Sequence, residues 1–198
     1  MGKDYQRRSA APAADRMDCS GAGPRDVADA DPVGVARLIC LHQLELAPRT
    51  RAQLATVLAR KNVPAEAAGI ILDRFTEVGL IDDEEYARAW VDARHRGRGL
   101  ARRALSHELR QRGVPEPAAA VALSELDPAV ERATARRLVD RKLTATARLE
   151  PAVRLRRLGG LLARKGYPAG MAFEVVREAL ESEGLGHSSQ TDAGIDTT

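Results

Sequence analysis

Leu58-Ala-Arg-Lys-Asn-Val-Pro64, Leu109-Arg-Gln-Arg-Gly-Val-Pro115 and Leu162-Ala-Arg-Lys-Gly-Tyr-Pro168 are one segment written three times. The prolines stand 51 and 53 residues apart. Each segment follows a leucine at the same offset (Leu54, Leu105, Leu158) and leads, eight residues past its proline, to an apolar residue (Leu72, Leu123, Val176). A fixed period of this length marks a tandem repeat. The segment has a mechanical meaning: basic residues suit the negative end of a helix dipole, Gly113 or Gly166 takes the left-handed position just past the helix, and Pro opens the next helix. Asn62 replaces glycine in the first copy, and Asn is the best non-glycine occupant of that conformation.

Working outward, Leu38, Ile39 and Leu46, then Leu54, Val57 and Leu58, then Ile70, Ile71 and Phe75 recur near the 3.6-residue period, and no stretch alternates with period two. A further helix precedes each segment: Val35 to about Leu46, Glu84 to about Arg96 with Tyr86, Ala89, Trp90 and Ala93 on one face, and around Glu131 to Leu143. The last lies about four residues further upstream than its counterparts, which predicts a longer connecting loop. The fold class is therefore all-α, three tandem three-helix repeats in an elongated array, since one such unit buries little alone. The divisions are 33–81, 82–127 and 128–184. Residues 1–32 and 185–198, rich in small and polar residues without a period, are expected to be disordered tails.

Composition narrows the function. The 198 residues carry 31 Lys and Arg, of which 27 are Arg, against 28 Asp and Glu, for a net charge of +3. That small sum hides a sorting. Arg94 to Arg112 hold seven Arg against Glu108, Arg132 to Lys165 hold eleven basic residues against Asp140 and Glu150, and the last 28 residues hold one Arg and six acids. Six aromatic residues cannot build a multi-ring base-stacking platform. Cys19 and Cys40 make no close-spaced pair, and no signal peptide or apolar run long enough for a membrane is present, so the expectation is a cytoplasmic protein with no disulfide, metal or cofactor.

Most candidate sites have a plainer reading. Asp82-Asp83-Glu84-Glu85 precedes an amphipathic helix without His or Cys at ligand spacing, so it reads as a helix cap rather than a metal site. Arg96-Gly-Arg-Gly-Leu-Ala101 has no preceding strand and no following G-K-[ST], so it is a flexible basic loop rather than a nucleotide cradle. Its arginines either face solvent or touch nucleic-acid phosphate or an acidic protein surface, and the run lacks the interleaved acids usual of a solvated face. Tyr86 and Trp90 read as core. His42, His95, His107 and His187 are scattered, and no nucleophile, base and orienting group come together, so no enzyme is expected. The residues favoured for contact are Arg94, Arg96, Arg98, Arg102, Arg103, Arg154, Arg156 and Arg157.

The stretch Gly79-Leu-Ile-Asp-Asp-Glu-Glu-Tyr86-Ala-Arg-Ala-Trp-Val-Asp-Ala-Arg94, continuing through Gly99-Leu-Ala-Arg102-Arg103 to Glu108-Leu-Arg-Gln-Arg112-Gly113-Val, resembles the RecX family of bacterial recombinase regulators. The outer repeats extend the resemblance from about residue 34 to 184, and the Ala and Arg bias looks actinobacterial. The resemblance implies a non-enzymatic protein that binds the RecA nucleoprotein filament and inhibits its ATPase and strand exchange; a monomer is expected. The alternative is a helical module that binds single- or double-stranded DNA directly.

Overall fold

A computed structural model describes residues 31–191, with side chains to 184. Among these residues the chain forms nine helices and no strand, in three sets of three. The first set is α1 (Pro32–Leu46), α2 (Arg51–Arg60) and α3 (Ala65–Glu77). The second is α4 (Asp83–Arg98), α5 (Arg102–Gln111) and α6 (Glu116–Ser124), and the third is α7 (Pro128–Thr146), α8 (Pro151–Arg164) and α9 (Ala169–Thr191). The repeated leucine pairs Leu54/Leu58, Leu105/Leu109 and Leu158/Leu162 are the anchors of three separate cores. Each pair sits one helical turn apart and meets the apolar faces of the helices before and after it. Cys40 is fully buried in the first core, where burial pushes its thiol pKa up and keeps it protonated. Cys19 lies outside the described residues.

The helix ends follow the reading of the repeated segment. Asn62, Gly113 and Gly166 have φ of 57°, 73° and 88°. Val63, Val114 and Tyr167 fold back so that their amides donate to the carbonyls of Leu58, Leu109 and Leu162. The prolines stand one residue further out than expected: Pro64 and Pro115 are the caps of α3 and α6, not their first helical residues. Asp82 accepts a hydrogen bond from the Glu85 amide at 2.8 Å, so the acidic run does cap α4.

Four expectations are corrected. The third repeat spends its extra residues in longer helices, 19 in α7 and 14 in α8 against 16 in α4 and 10 in α5, and its α7–α8 loop is only residues 147–150. Helix propagation adds one hydrogen bond per residue ordered. The basic stretch at 96–101 is not a loop throughout: α4 runs through Arg98, and only Gly99 to Ala101 connect it to α5. The buried face of α4 is Ala87, Val91 and His95, spaced four apart, with Tyr86 and Trp90 half-buried at its edge and Ala89 and Ala93 exposed. Finally, α1 already begins at Pro32, where proline suits the first turn, and α9 continues to Thr191, so the backbone at 185–191 is helical. No proline interrupts it there. The rest of the two expected tails, 1–30 and 192–198, lies outside the described residues.

The three cores are joined through helix ends. Thr50, the buried N-cap of α2, donates through Oγ1 to the Arg112 carbonyl at the end of α5, 2.7 Å away. Likewise the Ala101 amide at the start of α5 donates to the Lys165 carbonyl at the end of α8, 2.9 Å away. The second helices thus meet end to end in the order α8, α5, α2, with the negative end of each dipole against the positive end of the next. Each joint is closed by an acid from the following repeat. Asp83 of α4 accepts from the Arg51 amide and Glu131 of α7 from the Arg102 amide, both at 3.0 Å. Burial raises the Asp83 pKa, and the Arg51 amide works against that shift. Close approach is allowed by glycine: a Cβ on Gly113 would stand 2.3 Å from Ala52 Cβ, and one on Gly166 would stand 2.5 Å from the Ala104 nitrogen.

The joint between the second and third repeats is richer in polar contacts. His95 bonds the Leu100 carbonyl through Nδ1 at 2.8 Å and Thr134 Oγ1 through Nε2 at 3.0 Å. Because a carbonyl only accepts, Nδ1 carries a proton in that bond. Tyr167 donates to the Gly99 carbonyl at 3.2 Å, and its pKa is pushed up to about 12, first by burial and then by the Glu131 charge. A raised native pKa means that stability is unaffected below the unfolded value near 10 and is lost as pH rises from there towards 12. Urea titrations of the protein at pH 9 to 12 should therefore show a fall that is shallower in Tyr167→Phe.

Candidate polyanion-binding groove

The arginines favoured from sequence fall into two groups. Arg94, Arg102 and Arg154 are structural. The Arg94 guanidinium lies 4.0 Å from the Trp90 ring centre and 3.3 Å from Glu108, which also accepts the Trp90 indole N–H at 2.9 Å. Arg112 lies 3.5 Å from the same ring centre and donates to the Tyr86 hydroxyl. Arg102 pairs at 3.3 Å with the buried Glu131 and donates to the Leu126 carbonyl. Arg154 is braced within the third repeat by Glu183 and the Leu143 carbonyl. Proximity in sequence to other arginines concealed these roles, because the left-handed turn at Gly99 puts Arg94 and Arg102 on different helices with different partners.

Arg102→Ala therefore should destabilise, by about 1–3 kcal/mol, because it strands a buried carboxylate, the smaller end reflecting the partial exposure of Arg102 itself. Arg98→Ala should leave the urea midpoint unchanged. Matched unfolding curves of the two variants check the contrast.

Arg96, Arg98, Arg103, Arg156 and Arg157 are exposed. Arg96 and Arg98, on the last turn of α4, line a groove of about 310 Å³ together with Arg137 and Arg141 of α7 and Lys165 at the end of α8. Lys165 Nζ donates to the Arg98 carbonyl at 2.7 Å, which fixes the α4 end against the third repeat. Arg137 donates to Thr134 Oγ1 at 2.9 Å, so it too is held in place. Arg157 lines a neighbouring hollow of about 250 Å³ with Lys142 and Arg164. Residues 141 and 142 divide between the two hollows, as do 164 and 165, so the cations follow one seam between α7 and α8. Arg103 and Arg156 line neither.

Carboxylates are directed elsewhere. Arg132 pairs with Glu174 and Glu178, Arg88 with Glu84, Glu85 and Glu125, and Arg136 with Asp140. Along the seam only Arg96 has an acidic partner, Asp92 at 2.6 Å, among the described residues. Unpaired guanidinium groups converging in a groove attract anions and offer forked donors that match phosphate oxygens. Sequence reading missed Arg137, Arg141, Lys142, Arg164 and Lys165. The net charge of the 132–165 run was the available signal, and the i, i+4 spacing of Arg137 and Arg141 would have placed both on one face.

Among the described residues no three His, Cys, Asp or Glu side chains stand where they could hold a metal ion, and no helix is long and apolar enough to cross a membrane.

Family models for the first, second and third three-helix domains of RecX match residues 36–75, 82–123 and 130–176. The chain is 58% identical over 165 residues to the regulatory protein RecX of Streptomyces coelicolor, covering 83% of this chain and 88% of that one. It is 58% identical over 150 residues to that of Thermobifida fusca (76% and 81% covered) and 46% over 153 residues to that of Mycolicibacterium smegmatis (75% and 81%). The crystal structure of RecX from Lactobacillus salivarius superposes with a TM-score of 0.72 at 17% identity, covering 76% of this chain and 97% of that one, and shares its fold. Three consecutive domain matches in the right order, with relatives this similar over most of both chains, place the chain in the RecX family of regulatory proteins.

Proposed function

We propose that this protein is a cytoplasmic regulator that binds the RecA nucleoprotein filament and restrains its ATPase and strand exchange, as a monomeric binding partner rather than a catalyst. One observation carries the reading beyond the family: a groove where Arg98, Arg137, Arg141 and Lys165 converge from two repeats with their charges unspent on carboxylates. A filament of protein on DNA presents phosphates to such a groove while a second surface meets protein. Of the favoured arginines, Arg96, Arg98 and Arg157 remain in the proposed interface, Arg103 and Arg156 lie outside both hollows, and Arg94, Arg102 and Arg154 support the fold. The same groove also suits direct DNA binding, the second reading. Titrating the protein into a DNA-dependent ATPase assay of RecA from its host separates them. Inhibition at ratios too low to cover the DNA is expected for a filament regulator, while inhibition only at DNA-covering ratios favours simple competition.

A further inference from the structure

α1 differs from its counterparts in what it shows to solvent. Aligning the repeats on their buried residues superposes Ala36 and Cys40 on Ala87 and Val91 of α4 and on Ala135 and Val139 of α7. In this register Leu38 corresponds to Ala89 and Arg137, and Leu46 to Gly97 and Ala145. The fold therefore needs no large apolar group at either position. Yet Leu38 is 69% and Leu46 64% exposed, with Val35 on the same stripe at 37%. The spacing 35, 38, 42, 46 runs down one side of the helix, interrupted only by His42. Arg37 and Glu45 are the Arg and Glu of α1, with Glu45 standing 3.9 Å from His42, so the stripe has none of the surplus charge of the groove.

Such a stripe repels water, not phosphate, and an apolar surface of this kind signals a protein contact. Its occupant can be narrowed. Three partly exposed side chains fall far short of the roughly 800 Å² per partner that a stable interface buries, so two copies of α1 would not hold a dimer by themselves. The stripe fits a partner that is held at a second surface as well, where two weak contacts add through effective concentration. The basic seam is that second surface, and it lies in repeats 2 and 3, whereas the stripe lies in repeat 1.

We infer that the Val35, Leu38 and Leu46 face of α1 docks on an apolar patch of a protein subunit in the same nucleoprotein assembly whose phosphates the basic seam contacts. This rests on the proposed function: the subunit is then a RecA protomer. Repeat 1 reads protein and the later repeats read polyanion.

The test is the double variant Leu38→Asp/Leu46→Asp in the full chain, with Leu38→Ala/Leu46→Ala beside it as a milder change. Both positions are solvent-exposed, so circular dichroism and the urea midpoint should match wild type. Binding to a bare oligonucleotide should also match wild type. Inhibition of the RecA ATPase should weaken at least tenfold for the Asp pair and less for the Ala pair. Wild-type inhibition by a folded Asp variant overturns the inference while leaving the proposed function standing. Failure of the wild-type protein to inhibit at all removes the proposed function instead, and with it this partner. A wild-type dimer in sedimentation that the Asp pair converts to monomer also overturns the inference, by assigning the stripe to a second copy. Recovery of inhibition by an Asp variant lacking residues 1–30 overturns it as well, since the preceding segment would then be what the stripe serves.

Discussion

Gly166→Val should unfold the third repeat or cost the protein more than about 3 kcal/mol. Two effects add. A β-branched residue in the left-handed region costs on the order of 1–2 kcal/mol on its own. The new Cβ must also displace the backbone of Ala104, 2.5 Å away, which is the first turn of α5 and cannot move without opening the joint. Gly113→Val should behave similarly against Ala52. Asn62→Gly, at the same conformation, should stay within about 0.5 kcal/mol of wild type or stabilise slightly. The two effects can be separated with Gly113→Asn, since Asn tolerates the backbone geometry and retains only the clash. Urea midpoints decide the series. Tolerance of Val at both glycine positions would falsify the joint described here.

The second large effect is on binding. Reversing Arg98, Arg137 and Arg141 to Glu together should leave helix content and unfolding midpoint near wild type, because these side chains are exposed and none supports a buried carboxylate. Affinity for DNA and for the RecA filament should drop by more than tenfold. The slope of log affinity against log salt should flatten by about two to three, at about 0.7–0.9 for each phosphate left without its cation. The control is Arg103→Glu with Arg156→Glu, exposed cations outside both hollows. Equal weakening by the two variants would mean that net charge, not the groove, drives binding.

Why the sequence was a good guide to the fold and a poor one to the groove is clear from particular residues. The repeats were legible because a helix that stops and turns needs a left-handed residue, a fold-back apolar residue and a proline, and those requirements leave letters at fixed spacing. The leucine pairs were legible for the same reason: a buried position four residues from another shows itself in periodicity. Asp83 and Glu131 were not, because each completes a helix far from it in the chain, 32 and 29 residues away. Read locally they are only first-turn acids. His95 reads as a lone histidine, although it occupies the place of the half-buried Leu44 in the first copy, which aligning the repeats would have shown. The groove escaped because α4, α7 and α8 bring cations together over 67 residues of chain, and a count of charge per window has no knowledge of which window faces which.

The joints also carry a rule for assembly. A repeat can receive an upstream neighbour only if its first helix offers an acid at the place of Asp83 or Glu131 and its second helix ends in glycine. The first repeat breaks both conditions: the register puts Pro32 where the acid belongs and Asn62 where the glycine belongs. It is a terminator, able to be followed but not preceded in this manner. The middle repeat meets both conditions, so a chain with residues 82–127 duplicated in place should fold as a four-unit array one module longer. A copy grafted ahead of α1 should stay undocked until Pro32→Asp and Asn62→Gly are made together.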